Sequence, residues 1–187
     1  MSNTRNALLD SAESRVKRYG FDAVSFADLG GDVGIRKPSI HYHFPSKGDL
    51  SLALIERYHT SFLTQLADIF AQETQASAQL LAFLNLYRVA LDGGRSLCLC
   101  VALSVTQQAL PPATKKALAR YQSDVVAWLE KVFQTSQVDA SIDRVTDPYT
   151  DAYAALAQVQ GAQIMARSTG DPSRYEAAID TLRRRAI

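Results

Sequence analysis

GIRKPSIHYHFPSKGDL, residues 34–50, is the stretch of this 187-residue chain that decides its fold. The Gly-Ile pair that opens it is typical of a tight turn between two short helices. The following residues predict a short helix with small, polar and basic side chains at residues 37–39 and an aromatic run at residues 41–44. Residues 45–47 end this helix, and a helix with apolar periodicity begins at about Asp49.

On either side of this stretch, helical periodicity dominates and strand signals are scarce. A first helix is predicted to end at Gly20, with one face made of Leu8 or Leu9, Ala12, Val16 and Tyr19. Ser25 is expected to cap a second helix that reaches about Asp32. Turn and proline signals at residues 92–94, 111–112 and 170–172 divide the rest of the chain. We therefore predict an all-α fold of nine helices: a three-helix N-terminal domain with a helix-turn-helix at residues 1–48, and a six-helix domain at residues 49–187.

The net charge of the chain does not indicate which class of molecule it binds. The chain has 20 Lys and Arg residues against 19 Asp and Glu residues, so its formal net charge is +1. Because neither part of the chain is a basic block, any affinity for nucleic acid must come from the local placement of a few cations. The sequence has no apolar run of the ~20 residues that span a membrane and no signal peptide, so we expect a cytoplasmic protein.

The short helix after the turn suits insertion into the DNA major groove, because its first turn is small, polar and basic. Lys47 follows it and is placed for a phosphate. The stretch resembles the DNA-binding core of the TetR family of bacterial repressors. A Gly-hydrophobic turn, a small-residue recognition helix, an aromatic run ending in His-Phe and a closing Ser-Lys recur there in this order. The resemblance extends upstream through residues 5–9, 19–21 and 25–29, and covers about residues 4–60.

The resemblance implies which residues contact DNA. Carried onto this sequence, they are Ser25, Arg36, Lys37, Pro38, Ser39, His41, Tyr42 and Lys47. Lys37 suits donation to guanine acceptors, and Pro38 suits contact with a thymine methyl group. Ser25, Tyr42 and Lys47 would hold the phosphate backbone without reading bases. Ile40 and Phe44 are expected to pack inward.

The chain departs from the family pattern at two places. His41 stands where the family usually has tyrosine; a histidine still bonds phosphate, and more strongly when it is protonated. Gly30 and Gly31 stand where alanines are usual. Since a glycine inside a helix costs ~1 kcal/mol relative to alanine, we expect the second helix to be less rigid.

The resemblance further implies a homodimer in which the last two helices of each subunit form a four-helix bundle. Apolar residues at helical spacing permit this arrangement. They are Ala155, Leu156, Val159, Ile164, Tyr175, Ile179 and Leu182. The alternative is that this face only covers the chain's own core.

Members of the family commonly hold a small-molecule effector among their middle helices. The candidate lining residues are Tyr58, Phe62, Tyr87, Cys98, Leu103, Gln107, Trp128 and Tyr153. A mostly apolar pocket with a few polar groups suits a small hydrophobic or aromatic compound. Taken singly, each aromatic residue at helical spacing is more often part of a core than of a pocket.

Two interpretations of Cys98 and Cys100 stay open. On a helix, residues two apart project to different sides, so a disulfide between them would distort the helix. A redox or electrophile sensor needs a partly exposed cysteine with a lowered pKa, whereas the apolar neighbours at residues 97, 99 and 101 favour buried structural thiols. A lone pair of cysteines is weak evidence for zinc, so we expect no metal and no cofactor.

A helical enzyme or ligand carrier is the remaining class. The sequence has no paired carboxylates, no HExxH spacing and no Gly-rich phosphate loop, and its three histidines lie at residues 41, 43 and 59. We therefore predict a dimeric transcriptional regulator and not an enzyme. It would be a repressor that binds a palindromic operator in double-stranded DNA and is released by a small, mostly apolar effector. A repressor that senses oxidants or electrophiles through Cys98 or Cys100 is the alternative.

Overall fold

The computed structural model of the protein describes residues 2–106 and 110–187. Across these residues the chain forms nine α-helices and one short 3₁₀ turn, which confirms the predicted all-α class. The helices are α1 (Ser2–Tyr19), α2 (Phe26–Val33), α3 (Lys37–His43), α4 (Lys47–Gln72), α5 (Ala76–Ala90), α6 (Leu99–Ser104), α7 (Pro112–Asp139), α8 (Pro148–Thr169) and α9 (Ser173–Arg183). The 3₁₀ turn, Asp92–Gly94, occupies the predicted break after α5.

The chain divides into two compact units. The first unit consists of residues 1–60 and 98–119, and the second of residues 61–97 and 120–187. The division predicted between residues 48 and 49 falls within the first turn of α4.

The first unit is built on the buried face of α1. Leu8, Leu9, Ala12 and Val16 are all fully buried, as their helical spacing predicts. Tyr19 was expected on the same face but is 65% exposed. The reason is local, because α1 ends at Tyr19 and Gly20 turns the chain with a φ of 84°.

Ion pairs connect α1 to α2 and α4 within this unit. Arg15 donates two hydrogen bonds to the Asp32 carboxylate of α2, at 2.6 and 2.7 Å. Hydrogen bonds from Arg15 and Ser11 hold the pKa of Asp32 well below its usual range. Arg57 of α4 reaches Asp10 at 2.6 Å and Glu13 at 2.8 Å. Because these pairs are partly exposed, each contributes modestly to stability, but together they fix the orientation of the helices.

Capping residues define where α2 begins. The Ser25 hydroxyl accepts a hydrogen bond from the backbone N–H of Asp28 at 3.1 Å and donates one to the Asp28 carboxylate at 2.6 Å. The predicted capping of α2 by Ser25 is therefore confirmed. At the other end of α2, Gly34 has a φ of 72°, which allows the chain to turn sharply into α3.

The two glycines of α2 differ in their surroundings. A Cβ atom added at Gly30 would lie 2.8 Å from the Ile35 carbonyl oxygen, whereas one added at Gly31 would meet no atom within 4 Å. The Gly30 carbonyl accepts from the Ile35 N–H at 3.0 Å, so the turn folds directly back onto this residue. The close approach of the turn therefore requires glycine at residue 30, which the helical pattern alone does not indicate. The expected loss of rigidity in α2 stays a prediction.

A matched pair of substitutions tests this difference. Gly31→Ala should raise the free energy of unfolding by ~1 kcal/mol, since it improves helix propensity without a clash. Gly30→Ala should lower the free energy by about 1–3 kcal/mol, because backbone atoms must move apart. Urea unfolding followed by circular dichroism measures both changes. Shifts of the same sign in the two variants would contradict the packing of the turn on Gly30.

Aromatic rings form the centre of the second unit. Phe83 lies 5.1 Å from Tyr87 and 5.7 Å from Trp128 between ring centroids, and Phe62 lies 5.8 Å from Tyr87. The Trp128 indole N–H donates to the Leu66 carbonyl at 3.1 Å, so its polar atom is satisfied within α4 and α7. Such contacts make these rings a rigid cluster with a small number of polar groups.

The C-terminal residues are tied to the loop between α7 and α8. Ile142 and Ala186 form an antiparallel bridge, and the Ile187 N–H donates to the Ser141 carbonyl at 2.8 Å. Arg185 pairs with Asp151 at 2.8 Å and lies over the Phe133 ring. The end of the chain is therefore part of the second unit's structure.

Candidate nucleic-acid interface

The recognition helix α3 presents one face to solvent and one to the core. Ile40 is 0% exposed and Phe44, which caps the helix, is 1% exposed, as the sequence predicts. The Arg5 guanidinium lies over the Phe44 ring at 5.2 Å and ties this end of α3 to α1. The residues expected to contact DNA lie on the opposite side and are exposed: Arg36, Lys37, Pro38, Ser39, His41 and Tyr42. Buried anchors thus leave the whole outer face available to a partner.

The cations at the start of α3 differ from Arg15 and Arg57 of the same unit. Within the described residues, neither Arg36 nor Lys37 is paired with a carboxylate, whereas Arg15 and Arg57 are. Both residues are exposed. Pro38 occupies the first turn of α3, where its missing N–H costs no hydrogen bond. The first turn therefore offers two uncompensated positive charges beside a rigid apolar ring.

An open groove runs beside α3 in the first unit. It is lined by Thr4, Ile35, Pro38, Ser39, Tyr42 and His43. Tyr42 is 75% exposed, and its ring meets that of His43 edge-on at 5.2 Å. The sequence pattern of α1 does not predict that Thr4 lies in this groove. Thr4 reaches the groove because the N-terminal end of α1 packs beside α3. Thr4 adds a hydroxyl that suits a phosphate oxygen.

Ser25 and Lys47 already have partners within the first unit. The Ser25 hydroxyl caps α2, as described above. The Lys47 ammonium lies over the Phe21 ring at 5.0 Å and donates long hydrogen bonds to the Phe21 and Asp22 carbonyls, at 3.4 and 3.5 Å. Their contact with DNA stays a prediction, and Lys47 would have to exchange these weak contacts for a phosphate.

His41 is held by two neighbours. Its Nδ1 lies 3.2 Å from the Pro45 carbonyl, and its ring meets Phe26 edge-on at 5.0 Å. Since a carbonyl only accepts, Nδ1 carries the hydrogen in this contact. A neutral His41 then has only an acceptor at Nε2, whereas the protonated ring has a second N–H for a phosphate oxygen.

The residues expected to line an effector pocket are distributed over both units. In the second unit, Phe62, Tyr87 and Trp128 belong to the buried aromatic cluster. Tyr153 is 49% exposed and its ring packs on Tyr149 at 4.9 Å, so it lies outside that cluster.

The other predicted pocket residues fall in the first unit or outside the described chain. Cys98 and Leu103 are buried, and Tyr58 is half-buried under the Lys17 ammonium at 5.6 Å. Gln107 lies outside the described residues. The effector site as a whole stays a prediction.

The two cysteines contradict the expected geometry. Cys98 precedes α6 with an extended backbone, φ −63° and ψ 152°, so the pair does not share a helix. Its Sγ lies 3.0 Å from that of Cys100, and both side chains are buried. Burial is the main cause that raises the pKa of the Cys98 thiol well above its ordinary value. These properties do not favour a thiolate that senses oxidants or electrophiles.

The residues predicted for a dimer interface lie mostly in the subunit's own core. Within the second unit, α8 and α9 pack on each other, and six of the seven side chains are at most 5% exposed: Ala155, Leu156, Val159, Tyr175, Ile179 and Leu182. The Tyr175 hydroxyl, for example, donates to the Leu84 carbonyl of α5 at 2.7 Å. Only Ile164, at 44% exposed, remains available to a partner. A dimer must therefore use a different side of α8 from the one the periodicity suggested.

No group of three or more metal-binding side chains occurs within residues 2–106 and 110–187. In the same part of the chain, no helix has the length and hydropathy to cross a membrane.

Comparison with known proteins finds a family match in each of the two parts of the chain. The family described as "Bacterial regulatory proteins, tetR family" matches residues 8–54, and "Tetracyclin repressor-like, C-terminal domain" matches residues 76–182. The Escherichia coli HTH-type transcriptional repressor ComR is 31% identical over 77 residues, which are 41% of this chain and 37% of that repressor.

Two solved structures are similar over nearly their whole length. A TetR-family transcriptional regulator from Agrobacterium tumefaciens is 26% identical, with a TM-score of 0.92 over 98% of this chain and 97% of its own. A TetR transcriptional regulator from Legionella pneumophila is 25% identical, with a TM-score of 0.89 over 100% and 99%. The family matches span most of the sequence and agree with the exposed face of α3. The chain therefore belongs to the tetR family of bacterial regulatory proteins, and is a DNA-binding transcription regulator and not an enzyme.

Proposed function

We propose that the protein is a dimeric repressor that binds a palindromic operator and is released by a small, mostly apolar effector. The observation that carries this proposal is the exposed outer face of α3, where Arg36 and Lys37 have no carboxylate partner among the described residues. The similarity to a transcriptional repressor supports repression and not activation as the regulatory effect. A protein of this function works where the DNA is, so we place it in the cytoplasm.

Most of the exposed residues in and around α3 have distinct roles in the proposed complex. Lys37 would donate to guanine acceptors and Pro38 would contact a thymine methyl group in the major groove. Tyr42, with Thr4 across the groove, would hold phosphates on one side, and Arg36 on the other. Ser39 is short enough to let the helix approach the base edges closely. Residues 1–48 would thus form the DNA-binding domain, and residues 49–187 the domain for effector and partner.

The exposed side of α8 is the surface we propose for dimerisation. Tyr149, Tyr153, Ile164 and Met165 are between 44% and 54% exposed. They are four, eleven and one residues apart, and at about 3.6 residues per turn these intervals place them on one side of the helix. Gly161 lies on the same side, and a Cβ atom added to it would meet no atom within 4 Å. A two-fold axis near Gly161 would bring two copies of this apolar stripe together, since each copy presents the same patch to the other.

Effector binding is proposed within the second unit's aromatic cluster. The Tyr87 and Tyr121 hydroxyls lie 3.4 Å apart among buried rings, which provides a few polar atoms in an apolar setting. This composition suits an aromatic or hydrophobic compound with one or two polar groups. Such a ligand would release DNA only by binding more tightly to the subunit arrangement whose recognition helices no longer match the operator.

Selection of bound sequences from random double-stranded DNA tests the proposal. We expect enrichment of a palindrome, because two recognition helices related by a two-fold axis read the same half-site on opposite strands. The half-site centres should lie about 10 base pairs, or a multiple of this, apart. Enrichment of a single unrepeated site would contradict the dimer, and no enrichment above a pool taken through the protocol without protein would contradict specific binding.

A further inference from the structure

We propose that Cys98 and Cys100 form a binding site for trivalent arsenicals, in which one arsenic atom bonds to both sulfur atoms. The two Sγ atoms lie 3.0 Å apart because Cys98 has an extended backbone just before α6 and Cys100 is the second residue of that helix. Binding at this pair is independent of DNA recognition and of the aromatic cluster proposed for the effector.

The geometry of the pair suits a pyramidal atom. Trivalent arsenic carries its three substituents on one side, so two sulfur ligands of the same arsenic atom are close neighbours. A metal ion bound linearly by two sulfurs would instead need the thiols on opposite sides of it. Structural zinc takes four ligands, and no group of three metal-binding side chains occurs within residues 2–106 and 110–187. A thiophile that needs only two protein sulfurs is therefore the better match.

The chemistry needs neither an oxidant nor an ionised thiol at the start. Each thiol replaces one hydroxyl group of the hydrated arsenical: an As–O bond breaks, an As–S bond forms, and the thiol proton leaves with the hydroxyl as water. Two waters are released for each site, and arsenic stays trivalent. Burial raises the pKa of Cys98, which disfavours the thiolate needed to attack peroxide or an electrophile. The buried environment therefore disfavours oxidation and alkylation of the thiols but permits their reaction with the arsenical.

The surroundings of the sulfurs are apolar and can open locally. Leu99, Val101 and Leu103 are at most 2% exposed, which suits an organic substituent on arsenic. Cys98 and Cys100 are themselves 1% and 0% exposed, so the reagent enters only when α6 moves. This helix has six residues and is followed by Val105, which is 61% exposed. Because α6 is a separate short helix, such a movement would expose both sulfurs without unfolding the long helices.

Phenylarsine oxide added to the full-length, reduced protein tests the site. Mass spectrometry of the intact protein should show one phenylarsenic group per chain, with loss of the water that condensation releases. The adduct should persist in excess 2-mercaptoethanol and be removed by 2,3-dimercaptopropanol. Cys98→Ser and Cys100→Ser should each reduce retention in 2-mercaptoethanol by about a hundredfold or more, since a second bond to the same chain is what resists the competing monothiol.

The outcomes are decisive because the chain has two cysteines in total. Uptake only after denaturant is added, or an adduct that 2-mercaptoethanol removes from the wild type, would overturn the proposal. So would faster conversion of the pair to a disulfide by hydrogen peroxide than to the arsenic adduct at equal concentration. Melting temperatures show whether the serine variants are folded. If the serine variants are unfolded, the wild-type protein alone decides the test. Its adduct must persist in 2-mercaptoethanol and be removed by 2,3-dimercaptopropanol.

Discussion

Lys37→Ala should weaken operator binding by about 1–3 kcal/mol, which is roughly a fivefold to 150-fold loss in affinity. Lys37 is exposed in the first turn of α3 and has no carboxylate partner within the described residues. Its removal therefore leaves the stability of the folded protein unchanged, but it removes a direct contact from the complex with DNA. Titration of the selected operator by fluorescence anisotropy measures the change, and the loss should be larger for the operator than for random DNA if Lys37 reads bases.

Two companion variants show what kind of contact is lost. Tyr42→Phe removes only the exposed hydroxyl and should cost ~1 kcal/mol, with similar losses on operator and on random DNA. Lys131→Ala removes a positive charge from the exposed surface of α7 in the second unit and should leave affinity unchanged. If Lys131→Ala weakens binding as much as Lys37→Ala, then net charge and not the α3 face determines affinity. Unchanged binding in both Lys37→Ala and Tyr42→Phe would contradict α3 as the recognition helix.

Ile164→Glu should convert the protein from dimer to monomer. Ile164 is 44% exposed on the side of α8 proposed to meet a second subunit. By two-fold symmetry the substitution places two carboxylates in one apolar interface, and an uncompensated buried charge costs about 3 kcal/mol or more. Analytical ultracentrifugation at micromolar concentration should show the smaller species, and operator affinity should fall with it.

Val138→Glu is the matched control for this prediction. Val138 is 89% exposed on α7, so the same change in charge and volume is introduced on a surface with no proposed partner. It should leave both the dimer and the circular dichroism spectrum unchanged. A folded Ile164→Glu variant that remains dimeric would move the interface away from this side of α8.

The helices and the recognition face were accessible from sequence because they depend on local patterns. Apolar residues at helical spacing, Ser25 as a cap, Gly34 at the turn and Pro148 at the start of α8 each act within a few residues. The inward packing of Ile40 and Phe44 follows from the same spacing and is confirmed by their burial. Family resemblance added the identity of the DNA-contacting residues, which periodicity alone does not provide.

Long-range packing explains where the sequence predictions were wrong. The apolar stripe of Tyr175, Ile179 and Leu182 predicts a buried face, but spacing does not distinguish burial within a subunit from burial between subunits. Tyr175 donates to the Leu84 carbonyl, a partner 91 residues away in the sequence. Arg185 pairs with Asp151, a partner 34 residues away that helical spacing likewise does not reveal.

By itself the sequence determined the nine helices of the described residues and the helix-turn-helix, because hydrogen bonds and caps within a few residues specify them. The class of protein followed from the resemblance of residues 34–50 to a known family. Only the tertiary structure decided that Gly30 must be glycine, that six predicted interface residues are core, and that two cysteine sulfurs lie 3.0 Å apart. Each of these depends on a backbone approach or a chain direction that a linear pattern does not contain. The Ile35 carbonyl approaches Gly30 because the chain turns back at Gly34, and Cys98 meets Cys100 because its backbone is extended just before α6.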